Sequence, residues 1–276
     1  MNLIALHRQF TAELLKARKR NLFLGVLGLL LFFGVLPVPI AIAGSANDNM
    51  RDWARSLVTF PGCLFNTIKI ANISLPLLIT VVAAGAVGSE YSGGTWKMTL
   101  PRTTSRASSL VAKFLATLVL TLGAVAFTYV FAIVMGAGGS LALGLNFVPG
   151  PVNLGAGDIG RMVAYYTLEF GCTISLTMLA SVATRSFVGG TLLGFTAQHL
   201  LRGAVFLPGG WVSPMANLDS LQTRWLALSA YDKQDVENVL GHDMTWQAST
   251  VSVVAFSLAF MLLTMWLFEK RDLASE

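Results

Sequence analysis

Three ionisable residues lie inside long apolar stretches of the sequence, where a charge is costly. Glu169 lies in one such stretch, His199 and Arg202 lie in the next, and a tight turn at Arg185 separates them. An unpaired charge at the centre of a membrane helix costs about 2.5 to 3.5 kcal/mol on insertion scales. Counted from the turn at 1.5 Å per residue, Glu169 and Arg202 lie about 22 to 24 Å along their helices. We therefore expect Glu169 to pair with Arg202 or His199, either as a structural ion pair or as a contact on an outer substrate path.

A second group of candidate residues lies between the second and third apolar stretches. Gly93 and Gly94 allow a sharp turn, residues 95–100 can form one short helix, and Pro101 ends that helix. The segment 89–106 is therefore predicted to present a short basic helix to the cytoplasm. The alternative is an ordinary basic inner loop in which the glycines and the proline only turn the chain.

The sequence lacks the patterns of enzymes, metal sites and nucleic-acid readers. It contains no nucleotide-binding lysine motif of the Walker type, no Gly-x-Ser-x-Gly turn and no His-Glu-x-x-His pair. The histidines His7, His199 and His242 are far apart, and a disulfide between Cys63 and Cys172 is not expected. The net charge of +5 is small and scattered. We therefore predict no catalytic site, no metal, no cofactor and no nucleic-acid partner in this chain.

Composition indicates which elements position these residues. The chain has 276 residues, of which 54% are apolar and only 12% are charged. Soluble domains carry about twice this charged fraction. The apolar residues form blocks of roughly 20, each able to cross the hydrocarbon core of a bilayer as a helix. The predicted fold is a single all-α polytopic membrane domain over 1–276, with six transmembrane helices at 22–43, 67–88, 110–136, 159–183, 187–207 and 246–268.

The first 20 residues have the pattern of a surface helix. Leu6, Phe10 and Leu14 share one face, while most basic residues lie on the others. Residues 1–20 are therefore predicted to form an amphipathic helix at the membrane interface. A cleaved signal peptide is the alternative, but the following apolar run exceeds the usual signal core of about 7 to 15 residues. Pro37 and Pro39 should kink or shorten the first span.

The distribution of Lys and Arg predicts the orientation. Of the 19 such residues, 12 fall on the side of the N-terminus. By the positive-inside rule this side is cytoplasmic. An even number of spans returns the C-terminus to the same side, where Lys270 and Arg271 follow the last span. Both termini are therefore predicted to be cytoplasmic, in a bacterial inner membrane.

The long outer loop 208–245 is predicted to contain helices. Apolar residues at positions 218, 221, 225 and 228 recur at helical spacing, and 232–240 resembles a second short helix. These helices are expected to lie at the outer interface or to form a cap packed on the bundle. In the fifth span, Gly190 and Gly194 form a Gly-x-x-x-Gly pattern, which favours close helix packing within the chain or at a dimer interface.

The segment 89–106 resembles the matching segment of the type-two ABC exporter permeases, especially the bacitracin-efflux-like branch. That pattern has a Glu, an aromatic residue, Gly-Thr, Leu-Pro and Ser-Arg, and then a Lys that enters the next span. The residues that match it are Glu90, Tyr91, Gly94, Thr95, Leu100, Pro101, Ser105, Arg106 and Lys113. The interfacial helix, the six-span layout and the long loop before the last span are also similar, although only the coupling segment is specific.

The resemblance implies that segment 89–106 docks on a separate ABC ATPase, which binds ATP and Mg²⁺. Glu90 would then cap the docked helix or pair with a basic residue of the ATPase. Two permeases and two ATPases would form an exporter of peptide antibiotics, lipid-like molecules or drugs, and would confer antibiotic resistance. A secondary transporter or channel without an ATPase is one alternative. A membrane-embedded enzyme is the other, and it would need converging polar residues within the membrane.

Overall fold

In the computed structural model, the described residues are 3–19, 21–64, 66–67, 74–94, 96, 106–149, 156–207, 209, 212–225 and 245–270. Every regular element in these ranges is helical. The helices are α1 (Leu3–Arg18), α2 (Asn21–Val35), α3 (Pro37–Ser45), α4 (Arg51–Val58), α5 (Leu75–Ser92), α6 (Arg106–Ala142), α7 (Ala156–Thr184), α8 (Phe187–Gly203), α9 (Pro214–Trp225) and α10 (Trp246–Lys270). A 3₁₀ turn, Ala204–Phe206, follows α8.

Five segments of the described chain are long and apolar enough to cross a membrane. They are Asn21–Ser45, Leu75–Ser92, Arg106–Ala142, Gly157–Thr184 and Trp246–Lys270. The chain is therefore an all-α, multi-pass membrane protein. Helix α8, which corresponds to the predicted span 187–207, has only 17 residues and is not among the five.

The first two predicted spans have different boundaries in the structure. The predicted span 22–43 consists of α2 followed by α3, which begins at Pro37. Pro is favoured at the start of a helix, because its missing N–H has no partner to lose there. The predicted span 67–88 appears as α5, which runs from Leu75 to Ser92, and residues 68–73 lie outside the described part of the chain.

Helix α6 is much longer than the predicted span 110–136. Its 37 residues give it a length of about 55 Å at 1.5 Å per residue. A hydrocarbon core is only about 30 Å thick. Since Arg106 and Ala142 are the ends of one continuous helix, α6 extends well beyond the apolar layer.

A cap formed by α3 and α4 packs against the end of α6 that carries Gly136 and Gly139. We call it the outer cap after the side of the membrane predicted for it. Between the first two predicted spans the structure contains a further helix, α4, which packs against α3 and α6. Leu57 and Val58 of α4 are fully buried. A Cβ added at Gly139 would lie 2.8 Å from Val58 Cγ1, so the glycine allows close contact.

Helix α7 lies at the centre of the bundle and packs against α5, α6, α8, α9 and α10. Two of its buried hydroxyl groups bond to the backbone of the same helix. Ser175 donates to the Cys172 carbonyl at 2.9 Å, and Thr177 donates to the Thr173 carbonyl at 2.7 Å. Such bonds satisfy a polar side chain without a partner on another helix. Both cysteines, Cys63 and Cys172, are buried free thiols.

Glycines bring α8 close to α7 and α5. A Cβ added at Gly190 would lie 2.1 Å from Ser181 Oγ, and one at Gly194 would lie 3.0 Å from Thr177 Oγ1. The Gly-x-x-x-Gly pattern therefore serves packing within the chain, the first of its two expected roles. A Cβ added at Gly88 would lie 2.6 Å from Phe187 Cα, so the end of α5 touches the turn between α7 and α8.

Candidate functional site

The inner junction is a cluster of four charged residues where α1, α5 and α6 meet: Glu13, Lys16, Glu90 and Lys113. Lys113 Nζ lies 2.8 Å from Glu90 Oε1 and 2.8 Å from Glu13 Oε2. Lys16 also contacts Glu90 Oε1. The side chains of Lys113 and Glu90 are only 1% and 2% exposed. Two cations and two carboxylates thus form a compact group with no net charge.

Helix α1 supplies two of these four residues. Glu13 and Lys16 are three residues apart, so they lie on one face of the helix. That face points toward Glu90 and Lys113, while Arg8 and Lys19 are exposed. The amphipathic pattern predicted a helix resting on lipid, but α1 packs along α6. Its inward polar residues find counter-charges there, which a lipid surface would not offer in fixed positions.

Aromatic rings extend the inner junction toward the last helix. Trp96 is 2% exposed, and its ring lies 4.7 Å from that of Phe268 and 5.8 Å from that of Tyr91, between centroids. Lys113 Nζ lies 5.2 Å from the centroid of the Trp96 ring, within the range of a cation–π contact. Trp96 therefore fastens the chain that follows α5 to both α6 and α10.

The backbone just before Trp96 has the expected turn. Gly94 has a positive φ of 63°, which glycine adopts without strain. At the other end of the segment, the Arg106 guanidinium donates to the Glu269 carbonyl at 3.5 Å. The predicted coupling residues Thr95, Leu100, Pro101 and Ser105 lie outside the described residues.

Glu90 is buried against Lys113 and Lys16 of its own chain. Its expected role, capping a docked helix or pairing with a basic residue of another protein, stays a prediction. Tyr91 packs against Trp96 and Phe268. The sequence suggested neither Glu13 nor Lys16 as a site residue. Their spacing of three was the available signal, and the apolar stripe of the same helix obscured it.

The outer junction joins the end of α8 to α9 and α10 through Arg202, Asp219, Ser213, Asn217 and Ser252. Arg202 Nε lies 2.9 Å from Asp219 Oδ2, and their side chains are 38% and 31% exposed. Asn217 donates to the Ser213 carbonyl at 2.9 Å and to Ser252 Oγ at 3.4 Å. Ser213 in turn donates to the carbonyl of residue 201. Mostly neutral hydrogen bonds therefore hold this junction together.

The predicted ion pair of Glu169 with Arg202 or His199 is not formed. Arg202 pairs with Asp219 of α9, a helix that folds back over the end of α8. His199 is exposed, and its Nδ1 lies 2.9 Å from the Phe195 carbonyl of its own helix. The prediction failed because Asp219 belongs to the outer loop and was not considered as a competitor.

Glu169 is instead surrounded by tyrosines. It is 6% exposed, and the Tyr165 hydroxyl hydrogen-bonds to it. Its Oε2 atom has no hydrogen-bond partner among the described residues. Beside it, the Tyr129 hydroxyl donates to the Tyr166 hydroxyl at 2.6 Å. A buried carboxylate without a counter-ion is costly in a bilayer.

Asp219 lies in α9, outside the five candidate spans. Burial raises the pKa of Asp219 above its ordinary value, although Arg202 acts in the opposite direction.

The described residues contain no group of three or more His, Cys, Asp or Glu side chains that could hold a metal ion.

A comparison with known families identifies the chain. The family model described as "Protein of unknown function (DUF2705)" matches residues 54–274. No curated protein matches the chain. The matched region begins in α4, so it includes Glu90, Lys113, Trp96 and the whole outer junction, whereas Glu13 and Lys16 precede it. The match covers well over half of the sequence, and the chain therefore belongs to the DUF2705 family.

Proposed function

We propose that this chain is the permease subunit of an ATP-driven exporter, of the type-two ABC class and the bacitracin-efflux-like branch. The observation that carries the proposal is the inner junction. It ties the segment 89–106, through Glu90 and Trp96, to α1, α6 and α10. A force applied to this segment would be passed directly to the membrane helices.

The contacts at both ends of α8 support a sixth crossing. At its start, Phe187 touches Gly88 near the end of α5. At its other end, the carbonyl of residue 201 bonds to Ser213, next to the start of α10. Helix α8 and its 3₁₀ turn together contain 20 residues, about 30 Å at 1.5 Å per residue. Six crossings place both termini on one side, which the positive-inside rule assigns to the cytoplasm.

In this proposal the chain performs no ATP hydrolysis. A pair of ABC ATPases binds ATP and Mg²⁺, and their closure moves the segment 89–106. Trp96 and Lys113 transfer this motion to α6 and α10, and Glu13 and Lys16 transfer it to α1. Two permease copies in the bacterial inner membrane enclose a path for an amphipathic substrate. The substrate is a peptide antibiotic, a lipid-like molecule or a drug that leaves the cytoplasm or the inner leaflet.

A secondary transporter is the second candidate function, because Glu169 is a buried carboxyl group inside the bundle. Such groups often mark ion or proton pathways. The two candidates differ in one respect that can be measured, since only the exporter requires an ATPase.

Trp96→Ala tests the proposal, with Trp266→Ala as the control. Trp266 is 52% exposed, so its loss should not disturb the junction. The chain is co-expressed with each candidate ABC ATPase subunit of its organism, purified and reconstituted in vesicles. We expect the ATPase to co-purify, and Trp96→Ala to reduce substrate-stimulated ATP hydrolysis several-fold while Trp266→Ala leaves it unchanged. Transport by the chain alone in ATPase-free vesicles would contradict the exporter and favour the secondary transporter.

A further inference from the structure

Two carboxyl groups, Glu169 and Asp219, share one cation, Arg202, in this part of the bundle. Arg202 lies near both Glu169 and Asp219, but its Nε donates a hydrogen bond to Asp219 Oδ2, at 2.9 Å. Asp219 is partly exposed, whereas Glu169 is buried, with only 6% of its surface exposed. The group that most needs a counter-charge is therefore the one that has none in contact.

The charged and titratable groups around Glu169 come from four helices. Those within electrostatic range are Tyr129 of α6, Tyr165, Tyr166 and Cys172 of α7, Arg202 of α8 and Asp219 of α9. The two other helices packed on α7 add none, because Glu90 and Tyr91 of α5 and Glu269 and Lys270 of α10 belong to the inner end. No cation other than Arg202 faces Glu169 in the described part of the chain.

The two carboxyl oxygens of Glu169 differ in their hydrogen bonding. One accepts the Tyr165 hydroxyl, and Oε2 has no described partner. An ionised carboxylate in this position would have no counter-ion, and only one of its two oxygens would accept a hydrogen bond. A buried charge of this kind is normally neutralised.

We propose that Glu169 is a proton-binding site, in which a proton takes the place of a counter-ion while Arg202 stays on Asp219. The bound proton lies on the carboxyl group, which is then neutral and can remain among the tyrosine rings. This site is independent of the ATPase and would exist in an exporter or in a secondary transporter.

The position of the Arg202 guanidinium determines whether Glu169 holds this proton. If it moves from Asp219 to Glu169, Glu169 loses its proton and becomes the paired carboxylate. Asp219, which has lost its cation, takes up the proton that Glu169 releases, either directly or through water. The total charge and the number of protons are the same before and after, so the exchange costs no net charge inside the membrane. It also unfastens α9 from α8, because the Arg202–Asp219 bond joins those helices.

Infrared spectroscopy of the purified chain in lipid nanodiscs tests the proposal directly. A protonated carboxyl group has a carbonyl stretching band that a carboxylate lacks. We expect this band near neutral pH in the wild-type protein, and its loss in Glu169→Gln. Glutamate labelled with ¹³C at the side-chain carboxyl should shift the same band in the unsubstituted protein, which removes any dependence on the folding of the variant.

Asp158→Asn serves as the matched control, because Asp158 is a half-exposed carboxylate near the start of the same helix. It should leave the band unchanged. Asp219→Asn should weaken the band at neutral pH, because the released Arg202 can then pair with Glu169. A wild-type spectrum without the band, or a band that ¹³C-glutamate does not shift, would overturn the proton site. An unchanged band in Asp219→Asn would overturn the control by Arg202.

Discussion

The inner and outer junctions are both polar, but they are built on different charge balances. The inner junction has two cations and two carboxylates in contact, and its central pair, Lys113 and Glu90, is almost completely buried. The outer junction has one ion pair that is about one-third exposed, supplemented by hydrogen bonds of Asn217 and two serines. One is closed to water, and the other is open to it.

This difference predicts different mechanical behaviour. Breaking a buried pair leaves an uncompensated charge in a medium of low dielectric constant, which is strongly unfavourable. Breaking an exposed pair returns both groups to water at little cost. The inner junction should therefore move as one unit, whereas the outer junction can open and close.

The largest effect is expected for Lys113→Met, which leaves Glu13 and Glu90 facing only Lys16. We expect a loss of about 3 to 5 kcal/mol in the free energy of unfolding, measured as thermal stability in detergent. The double variant Lys113→Met/Glu90→Gln should recover most of this loss, because it removes both buried charges. Lys270→Met, at the exposed end of α10, is the control. If Lys113→Met is no more harmful than the control, the inner junction is not a rigid unit.

An intermediate effect is expected for Gly88→Ala. The added Cβ would lie 2.7 Å from the Ser186 carbonyl oxygen, so the end of α5 must move away from the turn before α8. Overpacking of this kind costs about 1 to 3 kcal/mol. Gly25→Ala is the matched control, because nothing lies within 4 Å of its added Cβ, and it should stabilise α2 slightly. Equal melting temperatures for the two variants would show that the contact at Gly88 is loose.

The smallest effect is expected for Asp219→Asn, and it depends on pH. Because burial raises the pKa of Asp219 in the folded protein above the ordinary value of 3.8, the folded state binds its proton more tightly than the unfolded state. Its contribution to stability is therefore greatest at low pH and is lost as the pH rises through the raised pKa. At neutral pH we expect Asp219→Asn to change stability by less than about 1 kcal/mol.

The measurement for Asp219 is the melting temperature of wild-type and variant proteins between about pH 4.5 and 7. The decline in stability with rising pH should be shallower in Asp219→Asn than in the wild type. A steeper decline in the variant would mean that the charge of Arg202 affects the pKa of Asp219 more strongly than burial does. The ion pair would then be what stabilises the outer junction.

The positions of the apolar helices could be predicted from the sequence, whereas the junctions could not. Long apolar runs and the proline at 37 act locally, so α2, α7 and α10 appear close to their predicted places. Side-chain pairs depend on distant parts of the chain, as for Lys16 and Glu90, which are 74 positions apart. Arg202 had two possible carboxylate partners, and only the folding of α9 decides between them.

Helix α6 has a consequence for how the two ends of the molecule communicate. Lys113 anchors it at the inner junction and Gly136 contacts the outer cap, 23 residues further along, or about 34 Å at 1.5 Å per residue. Because α6 is one continuous helix over this length, it can act as a lever. A tilt of roughly 10° about Lys113 would displace the cap by about 6 Å, while Lys113 itself stays in place. Substitutions in the cap, far from either junction, should therefore alter how much motion at the inner junction reaches the cap.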